Sequence, residues 1–332
     1  MRIEITMCDT LKKTILEQLS SAENVLLMTH LRPDGDALGS SCGMRSFLRA
    51  RGTAADVLAP GGIPQRYRKL CPDLLTAENC APDRYDLFVA LDCANPQRLG
   101  TLENLPVELL RTKNFISIDH HFANSLAAPL EWIAPDAGST CQMVANLLLF
   151  SGEKISAECA TLLMTGIKTD TGNFSFSNTR AETFYIAGKL MECGADVDRI
   201  ANEVFFSKPL NQLHFESALV SEQLRTVCDG KIAYAFVPEE MLKKYDFEMK
   251  EDEGLIDILR QLDKVVIAML VHKRADGFRI SLRSKDPARP VGPVARALGG
   301  GGHDMAAGTT LDLPEFSDVE KIILPMLSEL LK

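Results

Sequence analysis

The chain has 332 residues, of which 46% are hydrophobic and 24% charged, with a formal net charge of −9. That length supports two domains with their own cores, and the acidic balance excludes a globally basic nucleic-acid coat. No apolar run approaches the roughly 20 residues that span a bilayer, the N-terminal MRIEITMCDTLKK has no apolar signal core, and the nine cysteines form no CxxC pair; the expectation is a cytoplasmic protein with reduced thiols and no membrane partner.

In chain order, Leu11, Ile15 and Leu19 mark an amphipathic helix over 11–22. A short aliphatic strand follows at 25–29 and delivers His30, Asp34 and Asp36 in quick succession, with Pro33 and Gly35 between them. A simple alternative makes Asp36 a helix cap. Helical pattern resumes at 37–51. Strands are expected at 55–58, at 87–91 ending in Asp92, and at 115–118 ending in Asp119-His120-His121. Helices fill 139–151, 156–168 and 181–193, the second leading into Lys168-Thr-Asp170-Thr-Gly172. Strands alternating with helices imply α/β architecture, with a doubly wound, mainly parallel sheet. The polar residues recur at strand C-terminal ends, the edge where such sheets bind ligands.

Residues 194–225 read as helical, interrupted at Ser207-Lys208-Pro209. Beyond them strands are expected at 231–237, 265–271 and 278–282, and helices at 254–262, 291–298 and 318–331. The expected division is therefore a first domain over 1–193, a helical linker over 194–225 and a smaller mixed α/β domain over 226–332. Between Lys273 and Arg296 seven basic residues face two acidic ones. Such a stripe in an acidic chain suggests one anionic ligand held in one place.

His30, Asp34, Asp36, Asp92, His120 and Asp170 make one chemical argument. Two imidazoles and four carboxylates suit a pair of divalent ions, Mn²⁺ better than Zn²⁺ because thiolate donors are absent. One carboxylate can bridge two ions roughly 3.5–4 Å apart. Taken singly, Asp170 could cap a turn and Asp92 could be an ordinary strand-end residue. Together they are hard to explain that way. His214 and His272 belong to no pattern and read as structural.

These motifs resemble those of the DHH phosphoesterase superfamily. His30-Leu-Arg-Pro-Asp34-Gly-Asp36-Ala-Leu-Gly-Ser40 is similar to its first motif, Leu91-Asp92-Cys93 to the second, Asp119-His120-His121 to the DHH signature and Thr165-Gly-Ile-Lys-Thr-Asp170-Thr-Gly172 to the fourth. Arg283-Ser284 and Gly300-Gly301-Gly302-His303 resemble the substrate motifs of the DHH-associated C-terminal domain. The layout is most similar to the group of short-oligonucleotide ribonucleases that also dephosphorylate 3′-phosphoadenosine 5′-phosphate (pAp). Arg32 stands where many relatives carry Asn.

The resemblance implies two Mn²⁺ ions per chain, with Mg²⁺ or other divalent ions as substitutes. It assigns His30 and Asp34 to one ion, Asp36, His120 and Asp170 to the other, and Asp92 to both. His121 would face the scissile phosphate, and Asp119 would orient His120. Arg283, Ser284, Gly300, Gly301, Gly302 and His303 would bind substrate, with the active site in the cleft between the domains. The implied substrates are short oligonucleotides or nucleotide phosphates, not long duplex nucleic acid; a homodimer is left open. Linear or cyclic dinucleotides, and a non-catalytic nucleotide sensor, are the competing readings. A long-strand exonuclease would need a further binding domain and an aromatic track that the sequence lacks.

Overall fold

The computed structural model describes residues 7–99, 107–111, 113–249 and 254–332. Contacts divide the chain into two compact units, Met1–Ser207 and Lys208–Lys332.

The first unit begins with α1 (Met7–Ser21), β1 (Asn24–Met28), α2 (Gly35–Ala50) and β2 (Ala54–Leu58). It continues through β3 (Leu87–Leu91), α3 (Val107–Leu110), β4 (Phe115–Asp119) and β5 (Leu130–Ile133) to α4 (Thr140–Ser151), α5 (Ala157–Asp170), α6 (Ala181–Glu192) and α7 (Val197–Ile200). The five strands pair in parallel in the order β2-β1-β3-β4-β5. Every residue of β3 and β4 is buried. That is why these segments read as continuous apolar runs instead of alternating ones. Val25, Leu27, Val89, Leu91, Ile116 and Ile118 enter one core with α1, α2, α4 and α5. Leu26, Met28, Phe88, Ala90 and Phe115 enter a second core with Leu99, Leu110 and Leu126. The sheet is therefore covered on both faces, as a doubly wound sheet requires. Burying each large side chain contributes roughly 1.5–3 kcal/mol. β5 is absent from the expected strands because it is a four-residue edge in which only Trp132 is buried.

α2 starts two residues before the expected 37. Its cap is Asp34, not Asp36: Asp34 Oδ1 accepts from Asp36 N and Ala37 N, both at 3.0 Å. Asp36 thus lies inside the first turn. α2 packs on α5 through glycines. A Cβ on Gly39 would come 2.6 Å from Leu162 O, and one on Gly166 would come 2.8 Å from Asp36 Oδ1. This close approach brings the start of α2 to the end of α5, and so Asp36 to Asp170. Gly166→Ala should destabilise the fold by about 1–3 kcal/mol through overpacking and weaken metal binding. Denaturant titration and metal titration measure the two effects; a wild-type result in both contradicts this packing argument.

The second unit opens with α8 (Leu210–Ala218), β6 (Arg225–Val227), β7 (Ile232–Val237), α9 (Glu239–Lys244), α10 (Leu255–Arg260) and β8 (Ile267–Arg274). β9 (Gly277–Ser284), α11 (Gly292–Ala297), β10 (Gly301–His303), β11 (Ala306–Leu311) and α12 (Phe316–Glu329) complete it. The sheet order is β10-β11-β9-β8-β7-β6, with β7 and β8 parallel and the other pairs antiparallel. Phe278, Ile280 and Leu282 pack with α11 and α12 on one face. Ala233, Ala235, Ala268 and Leu270 pack with α8 and α10 on the other. The helical stretch 194–225 is shared between the two cores: Ile200 and Val204 are buried in the first, Phe215 and Leu219 in the second. Among the described residues no helix is long and apolar enough to cross a membrane.

Candidate metal centre and phosphate-binding face

The parallel sheet brings the strand-end donors together. His30 follows β1, Asp92 follows β3, His120 follows β4 and Asp170 closes α5. His30 Nε2 lies 3.9 Å from Asp34 Oδ2 and 3.7 Å from Asp92 Oδ2. His120 Nε2 lies 3.9 Å from Asp36 Oδ2, 3.5 Å from Asp92 Oδ1 and 3.6 Å from Asp170 Oδ2. The two oxygens of Asp92 therefore face different imidazoles. Three overlapping groups could each hold a metal ion: His30, Asp34 and Asp92; Asp36, His120 and Asp170; and Asp92, His120 and His121.

The donors fit divalent cations. His30 Nδ1 lies 2.8 Å from Leu31 O, and with Nδ1 donating there its Nε2 presents a lone pair. That Nε2 is buried and has no hydrogen-bond partner among the described residues. His120 Nδ1 donates to Ala137 O at 3.3 Å, which likewise turns its Nε2 toward the carboxylates. Burial, reinforced by the neighbouring carboxylates, pushes the Asp92 carboxyl well above its ordinary range. Burial likewise pushes Asp170 up to about 8, the Coulomb pull of His120 only partly opposing it. Asp36, Asp92 and Asp170, buried together, resist ionisation until positive charge sits among them; burial pushes Asp34 up too, but the hydrogen bond and charge of His30, with help from Ala37 N and Arg98, hold it well below its ordinary range. Asp92 also holds a left-handed backbone, φ 58, which aims its carboxylate from the strand end.

Asp36 is held from a distant element. Thr140 N donates to its Oδ2 at 2.7 Å and Cys141 N to its Oδ1 at 2.8 Å. Both amides belong to the first turn of α4, whose cap is Ser139. A helix N-terminus offers unpaired amides and positive potential to a carboxylate. Thr140 Oγ1 donates to Asp92 Oδ1 at 3.1 Å, and Asn178 Nδ2 donates to Asp170 O at 3.2 Å. Sequence reasoning missed Thr140 and Asn178. The available signal was Gly138-Ser139-Thr140, a cap sequence directly before an apolar helix.

Asp119 has a different partner from the expected one. Its Oδ1 accepts from His121 Nδ1 at 2.7 Å, not from His120, and its Oδ2 accepts from Asn124 Nδ2 at 2.7 Å. Burial pushes this carboxyl up, but hydrogen bonds and charge from His121, with help from Asn124, outweigh it and hold the group below its ordinary value. The Ala137 carbonyl already occupies the Nδ1 of His120, which leaves Asp119 to His121. Arg98 is also placed here, its Nη2 3.2 Å from His30 Nδ1. Arg32 is exposed and has φ 55, a conformation that Asn tolerates better than most residues. Its departure from the resemblance therefore falls on the backbone and not on the donor set.

In the second unit, Arg283 and His303 both stand opposite Ala306, across β9–β11 and β10–β11. Directly opposed residues share a face, so the sheet brings these two together. Ser284 does something else: buried, it accepts from Asp286 N at 3.2 Å and lies 3.1 Å from Asp286 O, closing a turn. The glycines at 300–302 build a hairpin with β11. A Cβ on Gly302, whose φ is 120, would come 2.6 Å from Ala306 O. The smallness of Gly300 and Gly302 is thus required by strand packing, whereas a Cβ on Gly301 would meet nothing within 4 Å. His272 is buried and accepts from Arg274 Nε at 2.9 Å, whereas His214 is exposed.

Comparisons with known proteins agree with this layout. Residues 24–167 match the DHH family, N-terminal domain, and residues 229–329 match the DHHA1 domain. The chain is 33% identical over 307 residues to the "bifunctional oligoribonuclease and PAP phosphatase NrnA" of Thermus thermophilus, covering 90% of this chain and 88% of that one. It is 27% identical to the protein of the same name from Bacillus subtilis, covering 91% and 93%. An exopolyphosphatase-related protein from Bacteroides fragilis superposes with a TM-score of 0.87 at 24% identity, covering 96% of each chain. RecJ of Thermus thermophilus, solved with Mn²⁺, gives a TM-score of 0.54 at 15% identity over 96% of this chain and 54% of RecJ. The last two are likenesses of fold.

Proposed function

The chain belongs to the DHH family, and from that premise we propose that it is a two-metal phosphoesterase, using Mn²⁺, that converts short oligonucleotides to mononucleotides and pAp to AMP. Metal-dependent phosphoester hydrolysis follows from the family and from relatives named for oligoribonuclease and PAP phosphatase activity. The observation that carries the two-metal reading is the division of Asp92, with one oxygen toward His30 and the other toward His120. In this reading His30 and Asp34 hold one ion, Asp36, His120 and Asp170 hold the other, and Asp92 serves both. Oxygen and imidazole donors without thiolate favour Mn²⁺ or Mg²⁺ over softer ions. When bound, such ions polarise a phosphoryl oxygen and offset its charge.

The protein groups then have separate tasks. The Asp36 carboxylate is fixed by two α4 amides, so it stays in place as charge moves. Asp119 holds the proton on His121 Nδ1, which leaves Nε2 to exchange a proton with the leaving oxygen as water adds across the P–O bond. Arg283, with its forked guanidinium, and His303 grip a substrate phosphate. Residues 1–193 act as the catalytic domain, 194–225 as a helical linker and 226–332 as the substrate-binding domain.

The test is one panel: pAp, dinucleotides, a 24-nucleotide strand and cyclic dinucleotides, each with Mn²⁺ and after chelation. We expect kcat/KM to be highest for substrates of about two to four nucleotides, because contacts that do not reach the transition state do not raise it. Chelation should abolish activity and Mn²⁺ should restore it. Full activity after chelation, or equal efficiency on the 24-nucleotide strand, contradicts the proposal. Preference for cyclic dinucleotides would move the substrate assignment to the phosphodiesterase reading.

A further inference from the structure

Asp170 is the last residue of α5, and a strained turn follows it. Gly172, Asn173 and Phe174 all take left-handed backbone, with φ of 55, 56 and 66. Two of the three carry side chains, and such conformations persist only where surrounding contacts fix them. Those contacts are present. Asn173 N donates to Lys168 O at 2.6 Å, Phe174 N to Thr171 Oγ1 at 3.1 Å, and Ser175 N and Phe176 N both to Thr171 O at 2.9 Å. The Phe174 ring stacks on Phe184 of α6, with centroids 5.2 Å apart. The turn carries the chain back, so that Asn178 meets the residue at which the turn began.

One atom makes the return contact. Asn178 Nδ2 lies 2.9 Å from Gly138 O, 3.2 Å from Asp170 O and 3.4 Å from Asp170 Oδ2. Three acceptors around the nitrogen fix the orientation of the amide, whose own oxygen is buried without a hydrogen bond among the described residues. Asp170 O is one of the helix-end carbonyls that have no partner within the helix. Asp170 Oδ2 is the oxygen that faces His120 Nε2, at 3.6 Å. Gly138 belongs to the entry of α4, where Thr140 N and Cys141 N hold Asp36. That entry is itself fixed: Gln142 Oε1 accepts from Gly138 N at 3.2 Å and from Thr183 Oγ1 at 2.8 Å. A single amide nitrogen thus joins the Asp170 carboxylate to the segment that holds Asp36. His30 and Asp34 are held elsewhere, His30 at Leu31 O and Asp34 at the amides of Asp36 and Ala37.

We propose that Asn178 is the positioning residue of the Asp36–His120–Asp170 group: it sets the Asp170 oxygen against His120 and ties it to the α4 entry, and so governs uptake of one ion and not of the other. The inference rests on the two-metal reading and adds to it a residue outside the donor groups. The reason is geometric. The Asp170 side chain can rotate about its χ angles, and a change of rotamer would draw Oδ2 away from His120. A bound divalent ion demands donor distances within about 0.2 Å of their usual values. A hydrogen bond from a fixed amide holds the carboxylate to that tolerance without supplying a ligand.

The experiment titrates Mn²⁺ into chelated and dialysed protein and follows the electron paramagnetic resonance of free and bound ions. It compares wild type, Asn178→Ala and Asn178→Leu; Leu keeps roughly the volume of Asn and removes the donor. Wild type should take up two ions and develop the exchange-coupled signal of a neighbouring pair. Both variants should hold one ion with wild-type affinity and bind the other about 10–100-fold more weakly, the range for groups that support a ligand. The coupled signal should be delayed to match. Melting of the metal-free proteins checks folding, and if one variant is unfolded the other decides. Unchanged affinity for both ions, or equal weakening of both, overturns the proposal. So does a wild-type titration for Asn178→Leu, which would reduce Asn178 to filling space. If wild type takes up one ion only, the two-metal reading fails, and Asn178 is judged on that ion. Weaker binding in the folded variants then supports the positioning role, and unchanged binding overturns it.

Discussion

Asp92→Asn should remove both metal binding and hydrolysis, and should make the metal-free protein more stable. The substitution is well isolated. Asn is nearly isosteric with Asp and tolerates the left-handed backbone, φ 58, that this position holds. What changes is the charge. A side-chain amide cannot offer an anionic oxygen to His30's side and to His120's side at once, so the two groups that contain Asp92, His30–Asp34–Asp92 and Asp92–His120–His121, both lose it. The loss of metal affinity should exceed the roughly 10–100-fold typical of changes to groups that only support a ligand. Stability should move the other way, because the carboxyl is buried among Asp36, Asp34, Asp119 and Asp170 and its charged form is disfavoured there. Metal content by elemental analysis, a hydrolysis assay and the melting temperature of chelated protein measure the three effects. A variant that retains full metal content and is only slowed contradicts the bridging role.

His120→Ala, His121→Ala and Asp119→Asn should separate into two classes. His120→Ala should lower metal occupancy, since its Nε2 lies within 4 Å of Asp36, Asp92 and Asp170. His121→Ala should leave metal bound and reduce kcat by roughly 10²–10⁴-fold, the range for a lost general acid. The decisive variant is Asp119→Asn. The resemblance alone placed Asp119 behind His120, which predicts a metal-binding defect. The hydrogen bond from His121 Nδ1 to Asp119 Oδ1 predicts instead a kcat defect with metal retained. Metal analysis and kcat for all three variants distinguish these outcomes. If Asp119→Asn loses metal as His120→Ala does, the assignment of Asp119 to His121 in the working enzyme is wrong.

The sequence by itself determined the strand-end pattern. Buried parallel strands must be apolar on both faces, so β1, β3 and β4 stood out as short runs, and His30, Asp92 and Asp119-His120-His121 stood out as the polar residues that end them. Parallel strands also point the same way, so residues at their C-terminal ends must meet at one edge. That is enough to place His30, Asp92 and His120 together without knowing a single distance; Asp170, which closes α5, reaches Asp36 through the packing of α2 on α5. The tertiary structure decided what local pattern cannot carry. Asp36 is fixed by amides 104 and 105 residues away. Gly166 matters because Cys141 Sγ of α4 and the Asp36 oxygen lie against it, not because of its place in α5. β10 and β11 are too rich in glycine and alanine to show an apolar alternation, yet their pairing sets Arg283 and His303 on either side of Ala306. The partner of Asp119 followed the same logic. Its two neighbouring histidines are indistinguishable in sequence, and the Ala137 carbonyl, by taking the Nδ1 of His120, left the carboxylate to His121. Periodicity reports which side of an element is buried; it holds no information on which distant backbone group arrives there, and hydrogen bonds of about 3 Å depend on that arrival.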